Sequence, residues 1–269
     1  MGASSVLEST AQTIAADAPS FSLEGEVALI TGGGSGIGLA IAQCMAASGA
    51  RVVIVGRRKE ELDRAVRQIG KNAFALPWDV TELDRAGTIV AESAAVAGRP
   101  VTVLVNNAGI HLKKAAIKTT EAEFQAVLQT HVLGSHALVR AVLPDMLTRG
   151  HGSILFIASM ASLFGIPQVI AYAAAKSAHL GMVRTLASEV GERGVRVNAI
   201  APGWIETAMS RKAMQDDVAR EQKILGRTPL RRFGRPEDVG MAAVYLASSA
   251  ARFVTGVVLP VDGGASIGF

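Results

Sequence analysis

Three side chains in the middle of this sequence have the types and spacing of an acid–base site. Tyr172 and Lys176 stand four apart in Tyr172-Ala173-Ala174-Ala175-Lys176, a spacing that a helix stacks on one face. A free phenol, with a pKa of about 10, is a poor proton carrier near neutrality, but a neighbouring ammonium stabilises the phenolate and draws that value down. Tyr172 is therefore expected to exchange a proton with substrate. Ser159 closes the apolar run Ser153 to Ala158. That places it at the carboxyl edge where open parallel sheets build their sites. A short loop separates it from Tyr172.

A second chemical feature precedes these. Thr31-Gly32-Gly33-Gly34-Ser35-Gly36-Ile37-Gly38 follows an apolar run and leads into the helical stretch from Leu39. Glycines there permit a tight turn and close approach of backbone amides to a pyrophosphate, and the helix N-terminus adds partial positive charge. A dinucleotide is the expected ligand. The next strand ends in Val55-Gly56-Arg57-Arg58, where a ribose-binding carboxylate is usual. Gly56 removes repulsion toward a 2′-phosphate, and Arg57 and Arg58 offer charge-assisted bonds to it, so NADP(H) is preferred over NAD(H). Asp79 suits either the adenine amino group or the cap of the next helix.

Elements must exist to hold these groups. Strand patterns occur at Val27 to Thr31, Arg51 to Val55, Ala73 to Trp78, Val101 to Val105, Ser153 to Ala158, Val195 to Ile200 and Val257 to Val261. Between them lie helical patterns at Gly36 to Ser48, Lys59 to Ile69, Glu82 to Ala97, Glu121 to Thr148, Tyr172 to Glu192 and Pro236 to Ser248. Alternation of this kind, with apolar strands, requires crossovers and a mostly parallel sheet covered on both faces. The fold class is α/β, a doubly wound Rossmann-like domain. Residues 1–22 read as an extension and 23–269 as one catalytic domain. The segment Trp204 to Arg232, with Met209, Met214, Ile224 and Leu225 among charges, reads as a helical flap.

Composition narrows the classes further. The 269 residues, 49% hydrophobic and 19% charged, with 28 glycines, exclude a disulfide miniprotein, a disordered chain and a fibrous repeat. Net charge is only +4, and the basic clusters Arg57 to Lys59 and Arg231 to Arg235 lack interleaved aromatics, so nucleic acid is not expected as a partner. The lone Cys44 and the lack of a secretory pattern or an 18-residue apolar run point to a cytoplasmic protein without membrane contact. His111, His136, His151 and His179 show no metal-ligand spacing, so no metal is expected. No G-x-S-x-G surrounds Ser159, which argues against serine hydrolysis.

Taken in order, Thr31 to Gly38, Asn106-Asn107-Ala108-Gly109, Ser159, Tyr172 with Lys176, Pro202-Gly203 and Asp262-Gly263-Gly264 resemble the short-chain dehydrogenase/reductase family from about Leu23 to Phe269. The resemblance implies a seven-stranded parallel sheet and a homotetramer or homodimer. It implies that Ser159 orients the substrate oxygen, Tyr172 is acid or base, and Lys176 binds the nicotinamide ribose. The cofactor would be held by Gly32, Gly34, Ser35, Gly36, Ile37 and Gly38 at the pyrophosphate, and by Asp79 and Val80 at the adenine. Asn106, Ala108, Gly109, Tyr172, Lys176, Pro202, Gly203, Ile205 and Thr207 would complete its site.

One position departs from the family. An Asn-x-x-Gly pattern there usually carries a catalytic Asn that holds a water connected to the lysine; this chain reads His131-Val132-Leu133-Gly134. His131 is either an alternative relay group, since imidazole both donates and accepts, or a packed core histidine. The expected reaction interconverts a secondary alcohol and a ketone. Substrate lining is expected from Ile110 to Lys114, Met160 to Gln168 and Trp204 to Met209. Cationic Lys113 and Lys114 suit a sugar acid or polyol, and the apolar share suits a 3-oxoacyl thioester. An NADP(H)-binding sensor or scaffold without turnover is the alternative.

Overall fold

Why the strands are apolar without alternation is plain from the two faces they cover. In the computed structural model, which describes residues 18–207, 210–211 and 218–268, strand β1 (Val27–Thr31) sends Val27 and Leu29 into one core and Ala28 and Ile30 into the other. Strand β2 (Arg51–Gly56) divides Val53 and Val55 from Val52 and Ile54 in the same way. A strand buried on both sides has no polar face to show. The remaining strands are β3 (Ala73–Pro77), β4 (Val103–Asn106), β5 (Gly152–Ile157), β6 (Val195–Pro202) and β7 (Val258–Val261). All seven are parallel, in the order β3-β2-β1-β4-β5-β6-β7. Strand order reverses between β1 and β4, so the loops at their carboxyl ends diverge and leave a crevice.

Helices α1 (Gly36–Ala47), α2 (Lys59–Ile69) and α3 (Ala86–Ala97) connect the first four strands. The helix expected from Glu82 to Ala97 begins only at Ala86, after a 3-10 turn at Leu83–Arg85. A larger departure affects the run expected from Glu121 to Thr148. It divides into α4 (Glu121–Leu128), a π-helical turn (Gln129–Leu133) and α5 (Gly134–Arg149). Apolar periodicity spans one wide turn without a break in rhythm, so the sequence conceals it. The turn carries His131, and Gly134 follows it where a Cβ would stand 2.8 Å from the Val80 carbonyl.

Helix α6 (Ile170–Val190) begins two residues before Tyr172. Helix α7 (Val218–Arg227) belongs to the expected flap, of which Met209 and Met214 lie outside the described residues. Helix α8 (Pro236–Ala247) starts with Pro236 at a position needing no amide donor, and the Asp238 carboxylate accepts from the Arg235 amide at 2.7 Å. It packs on α1 so closely that a Cβ on Gly240 would stand 2.5 Å from Cys44 Sγ. Of the expected extension, residues 1–17 lie outside the described range, but its end is seated. The Ser20 amide donates to Ser249 Oγ at 2.9 Å, and the Phe21 ring stands 6.0 Å from that of Tyr245. No helix among the described residues is long and apolar enough to cross a membrane.

Candidate active site

At the carboxyl ends of β1 and β4 a cleft of about 460 Å³ opens, and most of the sequence-predicted groups line it. Thr31 ends β1 just before the lining begins at Gly32. The Thr31 hydroxyl accepts from the amides of Asn107 and Ala108 at 3.0 and 2.9 Å, while Asn107 Nδ2 donates to the Thr31 carbonyl at 2.8 Å. These bonds tie the loop after β1 to the loop after β4 across the point of strand reversal.

Gly32, Gly34, Ser35, Gly36, Ile37 and Gly38 form one wall. Gly32 and Gly36 have φ of 67° and 55°, a region that disfavours side chains. A Cβ on Gly38 would stand 2.3 Å from the Gly32 carbonyl. Ser35, the N-cap of α1, makes no side-chain cap, and no acidic residue occupies the first turn. Amides at the start of a 12-residue helix thus face the cleft without a side-chain acceptor, a cradle suited to a pyrophosphate. Gly56, Arg57, Arg58, Asp79 and Val80 continue the same cleft. Arg57 reaches Asp79 at 3.8 Å with its side chain 69% exposed, a loose tether, whereas Arg58 is held to Glu61 at 2.6 Å. Asp79 also caps the turn after it, accepting from the Thr81 amide at 2.9 Å. A phosphorylated dinucleotide fits this donor set.

Ser159, Tyr172 and Lys176 meet at the other end. The turn after β5 aims Ser159 inward, where its Oγ accepts from the Ala161 amide at 3.1 Å and hydrogen-bonds the Tyr172 phenol. Lys176 Nζ lies 5.7 Å from the Tyr172 ring centroid and donates to the Ile157 carbonyl at 2.5 Å. Burial draws the Lys176 ammonium down to about 7. Burial also holds the Tyr172 phenol above its ordinary range, against the Ser159 hydrogen bond. The lowered phenol value expected from sequence is thus reversed here, because desolvation of the phenolate outweighs its polar neighbours.

His131 lies on the π-turn, buried, with its ring edge-on to that of Tyr172 at 5.6 Å between centroids. Its Nε2 stands 2.9 Å from the Ile110 carbonyl and 3.1 Å from the Ile110 amide. Burial, then the nearby Lys176 charge, push its pKa down to about 3, so the ring is neutral. A Cβ on Gly109 would stand 2.2 Å from His131 Cε1, which is why glycine is needed there.

Ala108, Gly109, Pro202, Gly203 and Thr207 also line the cleft. Asn106 and Ile205 do not. The Asn106 side chain is buried at the end of β4, its amide atoms without a partner, and Ile205 packs in the core and bridges to Gly234. Lys113 and Lys114 are outside the lining too, and Lys114 Nζ bonds both oxygens of Glu123 at 2.8 and 2.9 Å. The cationic loop expected from sequence has spent that charge on α4. Asn107, part of the Asn106 to Gly109 run expected to support the sheet and cofactor, lines the cleft where Asn106 does not. Sequence reasoning missed Thr130, which nothing signals because it sits inside the concealed turn.

Residues 32–266 match the family model described as Enoyl-(Acyl carrier protein) reductase. The galactitol 2-dehydrogenase (L-tagatose-forming) of Cereibacter sphaeroides is 41% identical over 250 residues, covering 92% of this chain and 97% of that one. The 3-oxoacyl-[acyl-carrier-protein] reductase of Thermotoga maritima is 39% identical over 245 residues, or 90% and 98%. A gluconate 5-dehydrogenase from Burkholderia cenocepacia, crystallised with NADP and tartrate, superposes with a TM-score of 0.87 at 34% identity, covering 93% of this chain and 98% of its own. With a doubly wound sheet, a glycine cradle and a Ser-Tyr-Lys cluster on one cleft, the chain belongs to the short-chain dehydrogenase/reductase family and is an NAD(P)-dependent dehydrogenase.

Proposed function

We propose that the protein is an NADP(H)-dependent oxidoreductase that interconverts a secondary alcohol and a ketone on a small polyhydroxylated substrate. The observation that carries this reading is the convergence of Ser159, Tyr172 and Lys176 on the cleft whose far end is the glycine cradle and Arg57. Bound there, the nicotinamide supplies or accepts the hydride. The chain's own groups handle the oxygen. In reduction, Ser159 Oγ and Tyr172 Oη donate to the carbonyl oxygen, and Tyr172 releases its proton as charge develops there. Lys176, seated on the Ile157 carbonyl, offsets the phenolate left behind and offers its remaining donors to the ribose hydroxyls.

His131 enters this reading as a packed positioning group rather than a relay. It is neutral, bonded to the Ile110 backbone, and wedged against Gly109. The preference for a hydroxylated substrate is supported by His111, whose ring lies 5.1 Å from that of Tyr172, and by the galactitol and gluconate chemistry in the names of relatives. A 3-oxoacyl thioester is the second reading, favoured by the exposed Leu163 and Ile170 beside the Ser159–Tyr172 loop. Association into a homodimer or homotetramer is part of the same reading, supported by the exposed Leu133, Met241 and Phe253, and light scattering would report it as a mass of two or four chains.

The deciding experiment screens galactitol, gluconate and a 3-oxoacyl thioester with both cofactors, in wild type and Tyr172→Phe. Turnover of a hydroxylated substrate with NADP, lowered about a hundredfold or more in Tyr172→Phe, is expected. Undiminished turnover in that variant would overturn the catalytic assignment. Burial keeps Tyr172 protonated through neutral pH and draws Lys176 down to about 7, so reduction should hold on the acid side and fall above about pH 7 as the ammonium that offsets the phenolate is lost.

A further inference from the structure

His179 lies three residues beyond Lys176 on α6 and does not line the cleft. It is nonetheless a buried polar group, 1% exposed, in contact with both elements that position the reacting pair. Its Nε2 stands 2.9 Å from the His131 carbonyl, which requires Nε2 to carry the proton and donate. That carbonyl belongs to the π-turn and takes a second hydrogen bond from Ser135 Oγ at 2.6 Å. The Ile157 carbonyl, the acceptor for Lys176 Nζ, also faces the His179 ring, and Phe156 packs on it with centroids 5.2 Å apart. His179 therefore joins the turn holding His131 to the end of β5 that seats Lys176.

The residue type suits the place. A leucine of similar volume would leave the His131 carbonyl with one donor, and a lysine or arginine would set a second cation beside Lys176. Burial, then the Lys176 charge, push His179 down to about 3, so it acts as a neutral donor, and its Nδ1 is buried without a partner.

We propose that His179 is a positioning residue for the proton transfer, bridging the π-turn to the end of β5 so that Lys176 stays seated beneath Tyr172. The inference rests on the Tyr172–Lys176 reading above. The titratable groups around that pair are Lys176 and His179 on α6, His131 on the π-turn and His111 on the loop after β4; β5 presents a carbonyl and an aromatic ring. Lys176 is lowered to about 7 because it is enclosed, so any loosening that admits water to it must show as a rise in that value.

Carbon-13 NMR of the lysine ε-carbons across pH, with Lys176→Met identifying the Lys176 signal, makes this measurable without knowing the substrate. His179→Leu should raise the Lys176 midpoint by about one pH unit, and with the alcohol found in the screen above should lower kcat about tenfold or more while KM changes less. His179→Gln, which still donates, should restore most of both. Ser135→Ala, which removes the other donor to the same carbonyl, should shift the midpoint the same way by less.

A folded His179→Leu protein with the parent midpoint and pH profile would overturn the proposal, as would equal defects in His179→Gln and His179→Leu. Should His179→Leu fail to fold, an unshifted Ser135→Ala midpoint overturns it instead. Full turnover in Tyr172→Phe would sink the catalytic reading itself, whereas an inactive Tyr172→Phe beside an unshifted His179→Leu sinks only the role of His179.

Discussion

Two cations at opposite ends of the cleft play different parts because one is wet and the other dry. Arg57 is mostly exposed and held to Asp79 only at 3.8 Å, so it can turn toward a phosphate without breaking a strong bond. Arg57→Ala should weaken NADPH binding by about tenfold to a hundredfold and leave NADH nearly unchanged, as fluorescence titration would show. Lys176 is enclosed, and its lowered pKa makes it a burden on folding. Between about 7, the folded value, and about 10.5, the unfolded chain binds a proton that the folded chain lacks, so stability rises with pH through that window. Below it both states are charged and the full penalty stands. Lys176→Met should therefore abolish turnover yet raise stability, by about 1–3 kcal/mol at pH 6 after the loss of the Ile157 hydrogen bond, with the gain fading toward pH 10. Denaturant melts at several pH values would test this, and a destabilised variant at pH 6 would contradict it. Ser159, Tyr172 and Lys176 were all legible as residues, since their types and spacing carry chemistry in one dimension. The direction of the Tyr172 shift was not, because desolvation depends on what surrounds the phenol after folding.

Elements hold the site through close approaches that leave no room for a β-carbon. The turn between β1 and α1 folds back so that Gly38 faces the Gly32 carbonyl, and backbone rather than a flexible side chain would meet the added methyl. Gly38→Ala should consequently displace the cradle, costing about 1–3 kcal/mol of stability and most of the cofactor affinity. Calorimetry with NADPH would detect both, and an unchanged Kd would show that the cradle tolerates the methyl. The sheet and most helix positions could be read in advance, because long apolar runs and 3.6-residue periodicity are local patterns. The π-turn could not. One residue of extra winding between α4 and α5 leaves periodicity almost intact, yet it sets His131, Thr130 and the carbonyl used by His179. Lys114 was misjudged for a related reason: its partner Glu123 lies nine residues on, in the capping box of α4, and the ion pair forms only once that helix docks.

Across the whole molecule, the edge of the sheet opposite the cleft is braced by a pair far apart in sequence. Glu26, before β1, meets His151, before β5, at 3.0 Å. Burial alone would raise the Glu26 carboxyl, but hydrogen bonds from His151 and Thr102 leave it below the ordinary range. The hydrogen bond to Glu26 raises His151 above 6.5. A raised histidine stabilises fully below its unfolded value, and that contribution is lost as pH rises through the folded one. A lowered glutamate stabilises above its unfolded value of about 4.5, and loses this as pH falls through its own folded value. The brace is therefore strongest from about pH 4.5 to 6.5. His151→Gln should destabilise more at pH 5.5 than at pH 8.5, by less than about 1 kcal/mol because the imidazole is half exposed. Equal melting shifts at both pH values would contradict the assignment.

What the sequence determined alone was whatever repeats over a few residues: strands buried on both faces, the glycine turn at a helix start, and a phenol and an amine one helical turn apart. Tertiary structure decided which asparagine faces the cleft, which lysine is spent on a carboxylate, and which imidazole stands behind the reacting pair. Those outcomes depend on burial and on partners distant along the chain, and both exist only once the sheet has brought separate loops to the same edge.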